Sequence, residues 1–212
     1  MFFNGSLLLM ISGVVIVLMS LTVHEVAHGF AAYKLGDPTA KNQGRLSLNP
    51  IKHLDPIGAL LLFIFGFGWA KPVPVNPYYF NGDRRKGMMV VSFAGPASNL
   101  ILAFILIAIY AIGHFGTLQY AYSVTGLILY KAFTLNIYLA LFNLIPIPPL
   151  DGSKILAGVL PQAAAYKFLT TVEQYGFLIL MLLVIFNITD IVLVPIANGV
   201  VQAMYFVTSL LA

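Results

Sequence analysis

Inside an otherwise apolar run the chain reads His24-Glu25-Val26-Ala27-His28. Side chains four residues apart on a helix share one face, so both imidazoles can reach a single metal ion. Glu25, beside the first of them, is placed to take a proton from water at that ion. These residue types suit metal-assisted hydrolysis. The five letters alone are a short signal: two core histidines bonded to neighbouring helices, with a glutamate paired to a lysine, would read the same way. Ionisable groups inside an apolar span are costly and usually functional, and three within five residues weigh against simple packing. A catalytic zinc takes three protein ligands and keeps one position open. The chain has no cysteine, so its ligands must be nitrogen and oxygen. Asp151 is the best candidate for the third, because Pro146, Pro148 and Pro149 break the helix before it and could present its carboxylate to a cavity. His53 and His114 compete with it, and Asp151-Gly152 also reads as a turn capping a helix that begins near Ser153.

These residues need elements to hold them, and the composition says what kind. Of 212 residues 60% are hydrophobic and only 8% are Asp, Glu, Lys or Arg; the mean hydropathy is +0.93. Soluble domains carry about 25% charged residues, so this chain belongs in a membrane. The expected fold is an all-α polytopic membrane protein. Leu7 to about Tyr33 forms the first helix and Gly36-Asp37-Pro38 ends it. Further spans are expected at Met88–Ile112, Val124–Ile145, Tyr175–Thr189 and Ile191–Leu211, making five. Between the first two spans, Arg45–Leu48 alternates in a strand-like way. Ile57–Trp69 is short and glycine-bearing, and is followed by Lys71-Pro72-Val73-Pro74-Val75-Asn76-Pro77. It reads as a re-entrant or interfacial segment rather than a crossing. No linker or repeat divides the chain, which points to one membrane-embedded domain over 1–212, with a core near 7–155 and accessory helices near 173–211. The first apolar segment lacks the charged start and cleavage site of a signal peptide and is expected to be retained.

The net charge of +4 is no nucleic-acid signal; its placement carries the information. Lys and Arg at 34, 41, 45, 52, 71, 84, 85 and 86 fall between the first two spans, and Lys154 and Lys167 in one later polar interval. The positive-inside rule then puts the N-terminus outside and the C-terminus in the cytoplasm. His24 lies about ten residues, or roughly 15 Å, from the cytoplasmic end of its helix.

Five stretches in order resemble the site-2 proteases, zinc intramembrane metalloproteases of peptidase family M50, in their short prokaryotic form without PDZ or CBS domains. They are HEVAH at 24–28, LNPIKHLDPIG at 48–58, GWAKPVPVNP at 68–77, FAGPASN at 93–99 and FNLIPIPPLDG at 142–152. The resemblance implies that His24, His28 and Asp151 bind one Zn2+ and that Glu25 is the general base and acid. It places Asn143 near the site, positioning substrate or stabilising the oxyanion. The family often has Asn-Pro here, whereas this chain has Asn143-Leu144, with the eight-residue offset to Asp151 kept. It also implies that Gly95 and Ala97 let the second span approach the metal helix closely, with Asn99 a polar packing residue nearby. The expected substrate is a transmembrane protein or peptide cut within the bilayer. A helical substrate hides its carbonyls in hydrogen bonds and must unwind, and Arg45–Leu48 could hold it by strand addition. Two other functions fit intramembrane His and Asp residues. A catalytically silent zinc scaffold would not need Glu25, and a metal or solute transporter would be expected to show two corresponding halves, which the sequence lacks.

Overall fold

The computed structural model describes residues 7–58, 60, 70–116 and 123–210. The described residues form an all-α membrane protein. Helix α1 is Leu7–Lys34, followed by a single turn, α2, at Thr39–Asn42. Then come α3 Arg84–Gly116, α4 Val124–Asn143, α5 Asp151–Val159, α6 Gln162–Glu173, α7 Gly176–Ile185 and α8 Ile188–Ser209. Among the described residues α1, α3, α4 and α8 are each long and apolar enough to cross a membrane. A fifth crossing exists only if α6 and α7, bent by 62°, act together.

That fifth crossing departs from the expected Tyr175–Thr189 span. Helix α7 has 10 residues, about 15 Å, half of a 30 Å apolar layer. It stops because Asn187 adopts a left-handed conformation (φ 54°), which asparagine tolerates better than most residues and which a continuing helix does not. Helix α3 begins four residues before the expected Met88. Asp83 caps it there, its carboxylate accepting the N–H groups of Arg85 (2.8 Å) and Lys86 (3.1 Å). Those two N–H groups, Lys86 first, lower the Asp83 pKa below its ordinary value. The expected Ile57–Trp69 segment lies, beyond Ile57, Gly58 and Leu60, outside the described residues. Arg45–Leu48 is not a strand. Its backbone joins no ladder, and the Ser47 carbonyl is taken by the His53 ring (2.8 Å). The one described bridge pairs Leu54 with Ala70.

By contacts the chain divides into two compact units, Met1–Val17 with Asn99–Phe142 and Met181–Ala212, and Leu18–Ser98 with Asn143–Leu180. The first is packed from α3, α4 and α8. Ala103, Ile107, Phe133, Ile137 and Ala197 are its buried centre, and Tyr110, Tyr130 and Tyr205 set their rings edge-on or tilted around Phe133 or one another. Wholly buried Asn99 on α3 donates to the Asn136 side chain on α4 (2.7 Å), and Asn136 donates to the Ala132 carbonyl (2.8 Å). Asn99 is therefore a polar clasp between two spans. Where water is absent such a bond holds helices together because its groups have no better partner. Replacing Asn136 by Leu should lower unfolding stability in mixed detergent by about 1 kcal/mol. Denaturation followed by circular dichroism checks this, and an unchanged midpoint would remove the clasp.

Candidate metal centre

The second unit contains every residue of the candidate centre. His24 and His28 sit one turn apart on α1, both buried. Asp151, the first residue of α5, meets them from 127 positions along the chain. His24 Nε2 and His28 Nε2 are 3.0 Å apart, and Asp151 Oδ2 lies 3.1 Å from the first and 3.2 Å from the second. Three ligand atoms thus make a nearly equilateral triangle. Nitrogen and oxygen ligands at about 2.0–2.1 Å from a tetrahedral ion stand roughly 3.3 Å apart, so this triangle fits one face of such a site. The tautomer agrees. His28 Nδ1 donates to the Val91 carbonyl (2.7 Å), which leaves Nε2 with its lone pair directed at the triangle.

Two close approaches make the triangle possible. Gly95 of α3 lies directly against both rings. A Cβ there would fall 2.5 Å from His28 Nε2 and 2.6 Å from His24 Cε1. At the other wall, a Cβ on Gly152 would fall 2.2 Å from the Leu144 carbonyl oxygen, a rigid backbone atom. The Asp-Gly pair is therefore more than a helix cap: the missing side chain lets the loop from Leu144 fold over the start of α5, which orients Asp151.

Glu25 faces the same cavity of about 320 Å³, together with Asn143 and Val75. Its Oε2 accepts the Val73 N–H (2.7 Å). Val73 belongs to the proline-rich stretch after the first span, and that stretch is pinned at several points. The Lys71 N–H donates to the His53 carbonyl (2.8 Å), and the buried Arg45 guanidinium donates to the Lys71 carbonyl (2.7 Å). The buried Asp37 carboxylate accepts the Asn76 N–H (2.7 Å) while also binding Thr39. The structure thus brings His24, Glu25, His28, Asn143 and Asp151 to one cavity. His53 is buried elsewhere, donating to Ser47, and His114 has no described side chain. Sequence reasoning missed Val91, Val73 and the pinning role of Asp37. The Val91 and Val73 contacts are made by the backbone, which leaves no trace in residue type. Asp37 was read only as a turn.

Two buried imidazoles and a carboxylate, with a second acid adjacent to them in a membrane helix bundle, match the donor set of a metal-dependent hydrolytic centre. The chain's relatives agree with that class: the family model for peptidase family M50 matches residues 12–186, and the chain belongs to that family. It is 46% identical over 189 residues to "Putative zinc metalloprotease YwhC" of Bacillus subtilis, covering 88% of this chain and 85% of that one. It is 34% identical over 173 residues to "Putative zinc metalloprotease Rip2" of Mycolicibacterium smegmatis, covering 79% of this chain and 64% of that one. "Putative zinc metalloprotease MJ0611" of Methanocaldococcus jannaschii is 30% identical over 155 residues, covering 72% and 73%. No solved structure matches the chain.

Replacing Gly95 by Ala should drive the two imidazoles apart. Affinity for a divalent cation is expected to fall about tenfold or more, with helix content unchanged. Competition with a chromophoric chelator measures it; undiminished affinity would show that α3 yields instead.

Proposed function

We propose that this chain is a zinc metalloprotease that hydrolyses peptide bonds of membrane-spanning substrates within the bilayer. The observation that carries this is the triangle of His24, His28 and Asp151 with Glu25 beside it, one wall of a cavity set about 15 Å from the end of a spanning helix. Family membership and the relatives' names support zinc as the metal. His24, His28 and Asp151 hold the ion, which when bound polarises the scissile carbonyl and acidifies water. Glu25 accepts the proton of the attacking water and returns it to the leaving amine. The Val73 N–H fixes one carboxylate oxygen of Glu25 and so aims the other at the cavity. The Asn143 side chain hydrogen-bonds the developing oxyanion or the adjacent substrate carbonyl.

The substrate arrives unwound. Val73 and Val75 line the cavity and none of residues 45–48 does, which favours the proline-rich stretch as the strand-adding edge in place of Arg45–Leu48. Prolines at 72 and 74 keep this stretch out of a helix, and because Glu25 holds the Val73 N–H, a guest strand would pair through the Val75 N–H and the carbonyls. The arrangement of Lys and Arg supports a cytoplasmic location for the centre's nearer mouth and for the C-terminus, with the N-terminus outside. A silent scaffold would have no use for a glutamate aimed into the cavity by a dedicated backbone contact.

Glu25→Gln should retain one zinc per chain and lose about 10²–10⁴-fold of the cleavage rate, since only the proton carrier is removed. Purified protein, metal analysis and a panel of single-span substrates test this. Cleavage that survives the substitution would remove Glu25 from the chemistry. Zinc bound with no Glu25-dependent cleavage of any substrate would favour the scaffold.

A further inference from the structure

Beside the metal cavity lies a larger one of about 640 Å³, and the two share Met88, Pro149 and Lys154. Its walls are largely apolar, with Leu169 and Phe177 among them, yet three cations border it: Arg84, Arg85 and Lys154. Glu173 is the only acid in the lining. Among the described residues none of these four side chains pairs with an opposite charge within 4.0 Å. Their other contacts differ in what they leave available. Arg85 is spent on fold: its Nη1 donates to the Ala157 carbonyl (3.3 Å) and to the Leu160 carbonyl, closing the C-terminus of α5. Arg84 sets its guanidinium carbon over the Tyr78 ring, 4.4 Å from the centroid, a contact to an aromatic ring and not to an opposite charge. Lys154 is exposed, stands three residues after Asp151 on α5, and so shares a helix face with the metal ligand.

We propose that this second cavity is a substrate subsite that takes an apolar residue together with an acidic side chain. That side chain, Asp or Glu, lies a few residues from the scissile bond on the side that leaves the membrane toward the basic 34–86 stretch. The proposal rests on the protease reading above. The apolar wall receives the neighbouring side chain, and Arg84 and Lys154 receive the carboxylate. Continuity with the metal cavity selects a peptide over a lipid headgroup: the shared residues, Lys154 among them, form the passage a chain would follow from the reacting carbonyl. Lys154 and Arg84 are then specificity residues, one near the metal and one farther out.

The test uses full-length Glu25→Gln protein and fluorescent single-span peptides carrying Glu at successive positions on that flank, each with a Gln twin. At one or two adjacent positions the Glu peptide should bind about fivefold more tightly, the scale of a partly exposed ion pair. Adding Arg84→Gln and Lys154→Gln should erase the difference while zinc content stays equal. Lys154→Glu should instead prefer a Lys peptide at the same position, which guards against a variant that merely misfolds. In Glu25-containing protein the same Glu/Gln pair should differ in KM and agree in kcat. Equal binding of all twins, or a preference that survives the double substitution, overturns the subsite. So does binding in nanodiscs that follows phosphatidylglycerol content and ignores the peptide's acid, because a lipid headgroup would then hold the cavity. If discrimination is seen with Glu25→Gln protein but Glu25-containing protein cleaves nothing, the subsite stands and the protease reading fails.

Discussion

Bringing three ligand atoms within 3.2 Å of one another inside a layer that disfavours charge is the requirement around which this fold is built. Two imidazoles and a carboxylate left separately in hydrocarbon would each go unsolvated. Gathered together, they offer a single cation one ready face. Gathering them needs close backbone approach from two directions. α3 comes in at Gly95, and the loop from Leu144 folds over Gly152 to set Asp151. Neither approach tolerates a Cβ, so the centre depends on atoms that are missing as much as on those present.

The second requirement is that Glu25, the proposed base, be aimed as well as supplied. Glu25 is next to a ligand in sequence, but its orientation comes from the Val73 N–H, 48 residues away. That stretch is held by Arg45, the His53 carbonyl and Asp37, polar groups that a reading by residue type assigns to turns or to competing metal ligation. They form a frame around the cavity rather than part of its chemistry. His53 shows the distinction well. Its ring is committed to Ser47 and its carbonyl to Lys71, so a histidine in a promising sequence position serves the loop.

Much of this was legible in the sequence because spans and metal motifs are written in residue type. The end of α1 was placed within one residue, and His24, Glu25, His28, Asn143 and Asp151 were all named and all line one cavity. What differed had a common cause. The Tyr175–Thr189 span overlooked the left-handed turn at Asn187, and the strand-like reading of Arg45–Leu48 rested on alternation over four residues. A side chain from His53 took the carbonyl a ladder would have needed. Local geometry and backbone partners decide such cases, and apolar periodicity does not report them. The second, cation-bordered cavity was invisible for a different reason: Arg84 and Lys154 are 70 positions apart and each looks, alone, like an ordinary interfacial charge.

The alternating prolines of Pro72-Val73-Pro74-Val75 have one more effect. In an extended chain, successive N–H groups point to opposite sides, so a proline at every second position strips all donors from one edge and none from the other. Such a ribbon is chemically one-sided. Its donors are confined to the edge of Lys71, Val73 and Val75, where Lys71 and Val73 already bind the His53 carbonyl and Glu25, while the proline edge keeps only carbonyl acceptors. A strand from another copy needs donors alternating with acceptors, and the proline edge, with acceptors alone, gives it no ladder to extend.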